Sequence, residues 1–94
     1  MIKGFVSPDT KLFWESHGKV KRPFCSFAVP AMRKLRMLDA AMNLHDLRQP
    51  PGNHLEPLAA DRGGQHSIRI NDQYRICFVW TTNGPANVEI VDYH

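Results

Sequence analysis

The C-terminal half of this 94-residue chain has four arginines, Arg48, Arg62, Arg69 and Arg75, and the planar guanidinium of each suits phosphate recognition. Arg75 lies among apolar and aromatic residues in a segment typical of a central β-strand, residues 74–81. A guanidinium in such a place needs either a structural carboxylate partner or a bound phosphate, and the residues alone leave both readings open. Arg69 has the same two readings in the preceding predicted strand. Arg62, in a loop that ends on two glycines, is either functional or simply solvated.

The C-terminus, Val91-Asp92-Tyr93-His94, is a second place where chemistry could occur. It follows a predicted strand directly and would leave a carboxylate, a phenol and an imidazole at the edge of a sheet. Histidine is the natural proton carrier near neutral pH. The alternative is a frayed tail without a role, and the physics of the residues alone favours that alternative.

Familiar catalytic and metal-binding motifs are missing, and the five histidines show no tight metal-ligand spacing. Cys25 and Cys77 lie 52 positions apart, which disfavours a zinc cluster or a disulfide scaffold. The apolar stretches are far shorter than the ~20 residues that span a bilayer. With 43% hydrophobic and 22% charged residues the chain is globular. We expect one soluble cytoplasmic domain, residues 1–94, with no metal, cofactor or membrane partner.

The charge of the chain is divided unevenly along its length. Residues 1–36 carry a net charge of +6 and residues 37–94 a net charge of −3. A cationic N-terminal third suggests a polyanionic partner, either nucleic acid or an acidic protein surface, while a solvated helix face is the alternative. The basic residues concerned are Lys19, Lys21, Arg22, Arg33, Lys34 and Arg36.

The spacing of apolar residues predicts helices first and strands afterwards. Residues 2–6 suit a short strand, and Ser7-Pro8 predicts the start of a helix that ends near Gly18. A second helix is predicted over residues 24–42, with Pro30 either kinking it or marking a later start near Val29. Its apolar stripe is formed by Phe24, Ala28, Ala31, Leu35, Leu38 and Met42. Off that stripe, Arg33, Lys34 and Arg36 should face solvent or a partner.

After the break at Gln49-Pro50-Pro51-Gly52 the period changes to that of strands. Strands are predicted over residues 67–70, 74–81 and 87–93, joined by short turns. Short connections imply an antiparallel meander. The predicted fold class is α+β, with N-terminal helices packed against one face of an antiparallel sheet.

Several motifs occur in a characteristic order along nearly the whole chain. They are Met1-Ile2-Lys3 with Phe5, Arg33-Lys34-Leu35, Leu38-Asp39-Ala40-Ala41, Asp46-Leu47-Arg48, Leu55-Glu56-Pro57-Leu58, Asp61-Arg62-Gly63, the run from Gln65 to Phe78, and the closing run from Val88 to His94. On these motifs the chain resembles the RelE/HigB-type toxins of bacterial toxin–antitoxin pairs, specifically the HigB branch. The terminal Asp-Tyr-His and the aromatic residue before Arg75 are the most specific features. The resemblance implies a RelE-like fold.

The resemblance also implies an activity. Such toxins enter the ribosomal A site and cleave the mRNA being translated, without a metal ion. The 2′-OH of the RNA attacks the adjacent phosphate and leaves a 2′,3′-cyclic phosphate. Carried over by position, Arg75 matches the strand arginine that stabilises the phosphate, and Asp92, Tyr93 and His94 match the active C-terminal group.

The chain departs from the family at the start of one loop. Where many HigB-like chains have His-Pro-Leu-Lys-Gly-Asp, this one has Glu56-Pro57-Leu58-Ala59-Ala60-Asp61. Glu56 replaces a histidine and can still act as a general base, but it repels phosphate, and Ala59 removes a cation. We expect a weaker nuclease, or one that takes charge from neighbouring residues. The residues that could supply it are Arg62, Arg69, His54 and His66.

The implied partners are the small ribosomal subunit with its mRNA and a HigA-like helix-turn-helix antitoxin. The basic N-terminal residues would contact ribosomal RNA, and operator DNA would be reached only through the antitoxin. Two other hypotheses remain. The chain could be a weakly catalytic or inactive module that binds the antitoxin and modulates operon repression, or a free-standing DNA-binding protein. The second would need a recognition helix, and the predicted helix 24–42 uses its apolar face for the core.

Overall fold

The first helix, α1, spans Pro8–Glu15 and begins as its sequence predicts. In this computed structural model, which describes residues 1–92 and only the backbone of Ala60, the Ser7 side chain accepts a hydrogen bond from the backbone N–H of Thr10 at 3.2 Å. Pro8 occupies the first turn, where its missing N–H costs nothing. Gly18 adopts a positive φ of 81° shortly after the helix ends.

The second helix, α2, spans Ala28–Ala40 and follows a short 3₁₀ helix at Cys25–Phe27. Pro30 therefore falls in the first turn, where backbone N–H groups have no intrahelical partner, and the later start near Val29 is the correct one of the two alternatives. The prediction was wrong for Met42, which lies beyond the helix end and is 86% exposed. The other five members of the stripe are buried.

Four antiparallel strands form a meander in which each strand pairs with its neighbours in the chain. They are β1 Glu56–Pro57, β2 His66–Arg69, β3 Tyr74–Thr81 and β4 Gly84–Asp92. The sequence predicted the last three strands and assigned β1 to a loop, because two residues are too short to show alternation. The α+β fold with an antiparallel meander is confirmed.

The N-terminal segment lies along the outer edge of β4. The sequence predicted a strand there, but among the described residues only the parallel bridge between Phe5 and Val88 forms. The backbone N–H of Lys3 donates to the carbonyl of Pro85 at 2.7 Å, and Val88 donates to the carbonyl of Gly4 at 3.0 Å. Gly84 has a φ of 127°, and a Cβ there would lie 2.6 Å from the carbonyl oxygen of Met1.

One face of the sheet packs against both helices. Ile68, Ile76 and Ile90 project from neighbouring strands and share a core with Phe13 of α1 and Leu35 of α2. Alternate strand residues point to the opposite face, which leaves that second face for the sheet arginines. No helix in the described part of the chain is long and apolar enough to cross a membrane.

We predict that Thr10→Val destabilises the protein by about 1–3 kcal/mol. The backbone N–H of Ile90 donates to the Thr10 hydroxyl at 3.1 Å in a buried contact, so valine, which has the same shape, would leave that N–H unpaired. Urea unfolding measures the change, with Thr82→Val at an exposed turn as the control. Equal unfolding midpoints for the two variants would contradict the prediction.

Candidate functional site

The second face of the sheet brings the predicted phosphate-binding residues together. Strand pairing places Glu56 opposite Ser67, Ser67 opposite Cys77 and Cys77 opposite Glu89, so these four form one row across the sheet. Arg69 lies opposite Arg75 in the next row. Residues directly opposite each other point to the same face, so the arginines and the two glutamates share one surface.

Arg75 is held tightly by groups from two neighbouring segments. Its Nε donates to the Ser67 hydroxyl at 2.8 Å, and its Nη2 donates to the backbone carbonyl of His54 at 2.5 Å. A Glu56 carboxylate oxygen lies 3.5 Å from Nη2, and the Arg75 side chain is 11% exposed. Of the two readings open in the sequence, the carboxylate partner is present. Among the described residues, Glu56 lies where a phosphate would meet the exposed part of the guanidinium.

Glu56 is the most easily displaced of these partners. Its side chain is 49% exposed, and the 3.5 Å separation is long for a charge-assisted hydrogen bond. A substrate phosphate could therefore take the place of this carboxylate on the guanidinium.

The other two arginines of this face also pair with carboxylates. Arg62 donates to Glu89 at 2.8 Å and to the Gln65 side chain at 3.3 Å, and its side chain is 38% exposed. Arg69 forms an ion pair with Asp72, three residues along the chain. The surface is thus a set of arginine–carboxylate pairs, and its positive potential depends on how readily the carboxylates move away.

The Cys77 side chain in the middle of this surface is fully buried. Desolvation is the largest cause that raises the pKa of its thiol; Glu89 also raises it, while Arg62 and Arg75 lower it to a smaller extent. A raised pKa keeps the thiol protonated at neutral pH, so Cys77 is a packing residue and no nucleophile. In the part of the chain that the structure covers, no cluster of three or more potential ligands suits a metal ion.

The C-terminal group is described only in part. Asp92 ends β4 opposite Tyr74, so its side chain alternates to the face opposite that of Arg75. It is exposed and accepts a hydrogen bond from the Gln73 side chain at 3.0 Å. Tyr93 and His94 lie outside the described residues, so their placement beside Arg75 stays a prediction.

The two candidate histidines occupy different positions relative to Arg75. His54 contributes its backbone carbonyl to the guanidinium, and its own backbone is left-handed with a φ of 45°. His66 lies opposite Phe78, on the face that carries the core, and its ring stacks on that phenylalanine with centroids 6.4 Å apart. The prediction that His66 adds charge at Arg75 is therefore wrong, because strand alternation turns its side chain away.

The basic residues of the N-terminal third are exposed with one exception. Lys34 is 8% exposed, and its Nζ donates to the Asn53 side-chain oxygen at 2.5 Å. Burial, and then the nearby Arg33 and Arg69, lower the pKa of Lys34. The prediction of a phosphate contact for Lys34 is wrong, because the side chain is directed into the protein. The exposed members are Lys19, Lys21, Arg22, Arg33 and Arg36.

Asn53, which the sequence did not single out, connects Lys34 to the arginine site. It is fully buried, accepts from Lys34, and donates to the backbone carbonyls of Leu47 and Gln49 at 3.1 and 3.2 Å. The next residue supplies the carbonyl that Arg75 contacts. The asparagine after Pro-Pro-Gly indicated a turn. Turn residues are ordinarily exposed, so nothing in the sequence indicated that this side chain is buried and makes three hydrogen bonds.

Comparison with known proteins identifies relatives of the chain. The model of a family described as HigB-like toxins, RelE-like toxins of the type II toxin–antitoxin system HigB, matches residues 5–94. Toxin HigB-1 of Vibrio cholerae serotype O1 is 48% identical over 62 residues, which cover 66% of this chain and 64% of that protein. An uncharacterized protein of Haemophilus influenzae is 40% identical over 76 residues, covering 81% of this chain and 72% of that one.

Two solved structures share the fold. In the YoeB–YefM complex from Staphylococcus aureus, one chain matches with a TM-score of 0.61 at 18% identity, covering 100% of this chain and 98% of that chain. A YoeB/ParE toxin from Agrobacterium tumefaciens matches with a TM-score of 0.56 at 16% identity, covering 99% of this chain and 98% of the other. At these identities the likeness concerns the fold alone.

Lys34 should give the free energy of unfolding a pH dependence in the alkaline range. Because burial lowers the pKa of folded Lys34 below its ordinary value of 10.5, the unfolded chain binds more protons than the folded chain between the two values. Lys34 therefore contributes a rise in the free energy of unfolding with pH across that window, whereas the raised pKa of the Cys77 thiol contributes a fall above 9.0. Lys34→Met should abolish this rise and, by leaving the Asn53 oxygen unpaired, cost about 1–3 kcal/mol at neutral pH.

Urea unfolding at a series of pH values from neutral to about 10.5 measures this effect. The matched control is Lys21→Met, at an exposed lysine, which should keep the wild-type slope. Parallel curves for wild type and Lys34→Met would show that the buried amine does not titrate differently in the two states.

Proposed function

The chain belongs to the HigB-like family of RelE-like toxins of type II toxin–antitoxin systems, and on that basis we propose that it is a ribosome-dependent endonuclease that cleaves mRNA in the A site and so inhibits translation. The reaction requires no metal ion. The 2′-oxygen of the RNA forms a bond to the adjacent phosphorus, and the bond from that phosphorus to the 5′-oxygen breaks. The products are a 2′,3′-cyclic phosphate and a free 5′-hydroxyl.

The observation that carries this proposal is the Arg75 guanidinium, oriented by Ser67 and the His54 carbonyl and faced by a displaceable carboxylate. Charge accumulates on the phosphorane oxygens in the transition state, and a preoriented cation stabilises it without reorganising. A phosphate that replaces Glu56 on Nη2 would sit where this stabilisation is available. Arg62 and Arg69 flank the same face and would assist after release from their own carboxylates.

Glu56 has a second role in this mechanism, that of general base. Once the phosphate displaces it from Arg75, the half-exposed carboxylate lies beside the bound substrate and can accept the proton of the 2′-OH. The leaving 5′-oxygen needs a proton donor, and we assign that step to Tyr93 and His94. Asp92 is left out of this role, contrary to the prediction from the sequence, because its side chain alternates to the face opposite that of Arg75. Glu56 repels phosphate before it moves, and the exposed Ala59 supplies no cation, so the enzyme should be weaker than relatives that have histidine and lysine there.

The partners follow from the same assignment. The exposed residues Lys19, Lys21, Arg22, Arg33 and Arg36 would contact phosphates of ribosomal RNA and make binding strongly salt-dependent. The matching S. aureus structure is a complex with YefM, which supports binding of an antitoxin here also. We propose a HigA-like helix-turn-helix antitoxin as that partner, with operator DNA bound only by the antitoxin, in the cytoplasm.

A second candidate function is that of an antitoxin-binding module with little or no nuclease activity. The burial of Arg75 behind a carboxylate favours it, because substrate binding must first separate an ion pair. Expression in a bacterium distinguishes the two. If wild-type protein that is shown to be intact and folded leaves growth unchanged, the antitoxin-binding module is the correct hypothesis. Growth arrest that Arg75→Lys relieves supports the nuclease.

We predict that Arg75→Lys and Arg75→Ala each lower mRNA cleavage by about 10²–10³-fold. Lysine keeps the charge but cannot donate to Ser67, His54 and a phosphate in the fixed geometry of the guanidinium. Mapping of mRNA 5′ ends on translating ribosomes measures cleavage, and thermal unfolding confirms that each variant is folded. Lys11→Ala, at an exposed cation on α1, is the control and should cleave like wild type. Full activity of a folded Arg75→Lys would refute the assigned role.

Substitutions of Glu56 separate the two roles assigned to its carboxylate. If Glu56 is the general base, Glu56→Gln should lower cleavage by about 10²-fold or more, and Glu56→His should retain or exceed wild-type activity. If it serves only as a counterion of Arg75, Glu56→Gln should instead raise cleavage, because the guanidinium becomes available. Such a rise on the same ribosome assay would exclude the general-base role while leaving the role of Arg75 intact.

A further inference from the structure

A cavity of about 330 Å³ lies on the other side of β1 from Arg75. The 3₁₀ helix Leu44–Arg48 forms one wall, and the first two strands form the opposite wall. Its volume falls within the range of about 300–1,000 Å³ that small-ligand sites occupy. It is lined by Leu44, His45, Arg48, Leu55, Pro57 and His66.

The lining combines an apolar surface with side chains that carry nitrogen donors. Leu44, Leu55 and Pro57 provide the apolar part. His45 and Arg48 are three residues apart on a 3₁₀ helix, where side chains at that spacing eclipse, so both lie on the same side of the helix. Both are exposed at the cavity mouth, and none of the described residues that line the cavity has a carboxylate. This composition suits a flat aromatic ligand with a negative charge at one end.

His66 adds a polar group that the described structure does not satisfy. Its ring is fixed by stacking on Phe78, with 25° between the ring planes. The Nδ1 atom is buried and has no hydrogen-bond partner among the described residues. Buried polar atoms are nearly always paired, so this orphan nitrogen marks a place where a further group or a water is expected.

The cavity adjoins the candidate active site through β1. Glu56 and Pro57 are consecutive, and strand alternation directs them to opposite faces, Glu56 toward Arg75 and Pro57 toward the cavity. In the described chain β1 is the outermost strand on this side of the sheet, and it is two residues long. A single-stranded RNA that has one phosphate at Arg75 could thus pass around this short edge.

We propose that this cavity is a nucleotide subsite, which holds the base of a nucleotide flanking the cleaved phosphate against Leu55 and Pro57, with its own phosphate at Arg48. This proposal deepens the nuclease function and rests on it for the identity of the RNA as substrate. The binding site itself is independent of cleavage, because a mononucleotide has the required base and phosphate.

Titration of the isolated full chain with adenosine 5′-monophosphate, followed by amide NMR, tests the site. We expect shifts concentrated in residues 44–48, 55–57 and 66, and an affinity at least about 10-fold weaker for Arg48→Ala. Lys11→Ala, which removes an exposed cation from α1 to which no binding role is assigned, is the control and should bind like wild type. Adenosine and inorganic phosphate, tested separately, should each bind more weakly than the nucleotide.

Two results would overturn the subsite. Equal losses of affinity for Arg48→Ala and Lys11→Ala would mean diffuse attraction to the positive charge of the protein. Inorganic phosphate that binds as tightly as the nucleotide would mean a simple anion site. Neither result would contradict the nuclease proposal, because that proposal is tested separately by the ribosome assay with Arg75→Lys. Conversely, nucleotide binding that depends on Arg48 in a chain that cleaves no mRNA would support the site and refute only its proposed place in cleavage.

Discussion

The arrangement around Arg75 follows from one constraint: a buried guanidinium must have its donors satisfied. The protein meets it by pairing Nε with Ser67 across the strands and Nη2 with the His54 carbonyl from the preceding loop. That carbonyl is in place because Asn53 fixes the turn from inside, and Asn53 in turn accepts from Lys34 of α2. Polar contacts thereby connect α2, the turn and the sheet, and the last of them reaches the Arg75 guanidinium.

The same constraint means that the ion pairs of the folded site compete with phosphate for the arginine side chains. The carboxylates that pair with Arg62, Arg69 and Arg75 in the folded protein occupy the positions that a polyanion would need. Such pairs are individually weak when partly exposed, so exchange for phosphate is energetically accessible. The exposed basic residues of the N-terminal third are not part of these ion pairs, so the proposed contact with RNA there would not require breaking them.

Local features of the chain made much of the fold predictable. Ser7 and Pro8 located the start of α1, the spacing of Ala31, Leu35 and Leu38 gave the buried face of α2, and alternation gave β3 and most of β2 and β4. Met42 was misplaced because periodicity does not show where a helix ends when no glycine or proline stops it. β1 was missed because two residues have no period, and its strand character comes from pairing with β2.

The site was predictable in its residue types and less so in its geometry. Arg75 stood out because a cation in an apolar strand is unusual, yet its choice of partner depends on a loop that approaches from elsewhere in the chain. Lys34 was misread because charge normally indicates exposure, and the acceptor that permits its burial lies 19 residues away. His66 could have been excluded by alternation alone, since it shares its face with Ile68.

The N-terminal segment along β4 affects whether this edge of the sheet can pair with another protein chain. An uncovered outer strand offers a ready template for other chains, and here residues 3–6 occupy that position with their own main-chain groups. The fit requires the absence of a side chain at residue 84, where any Cβ would collide with the first carbonyl of the chain. A side chain at residue 84 would therefore push the N-terminal segment away from β4 and leave main-chain groups of that outer strand open to pairing with another chain.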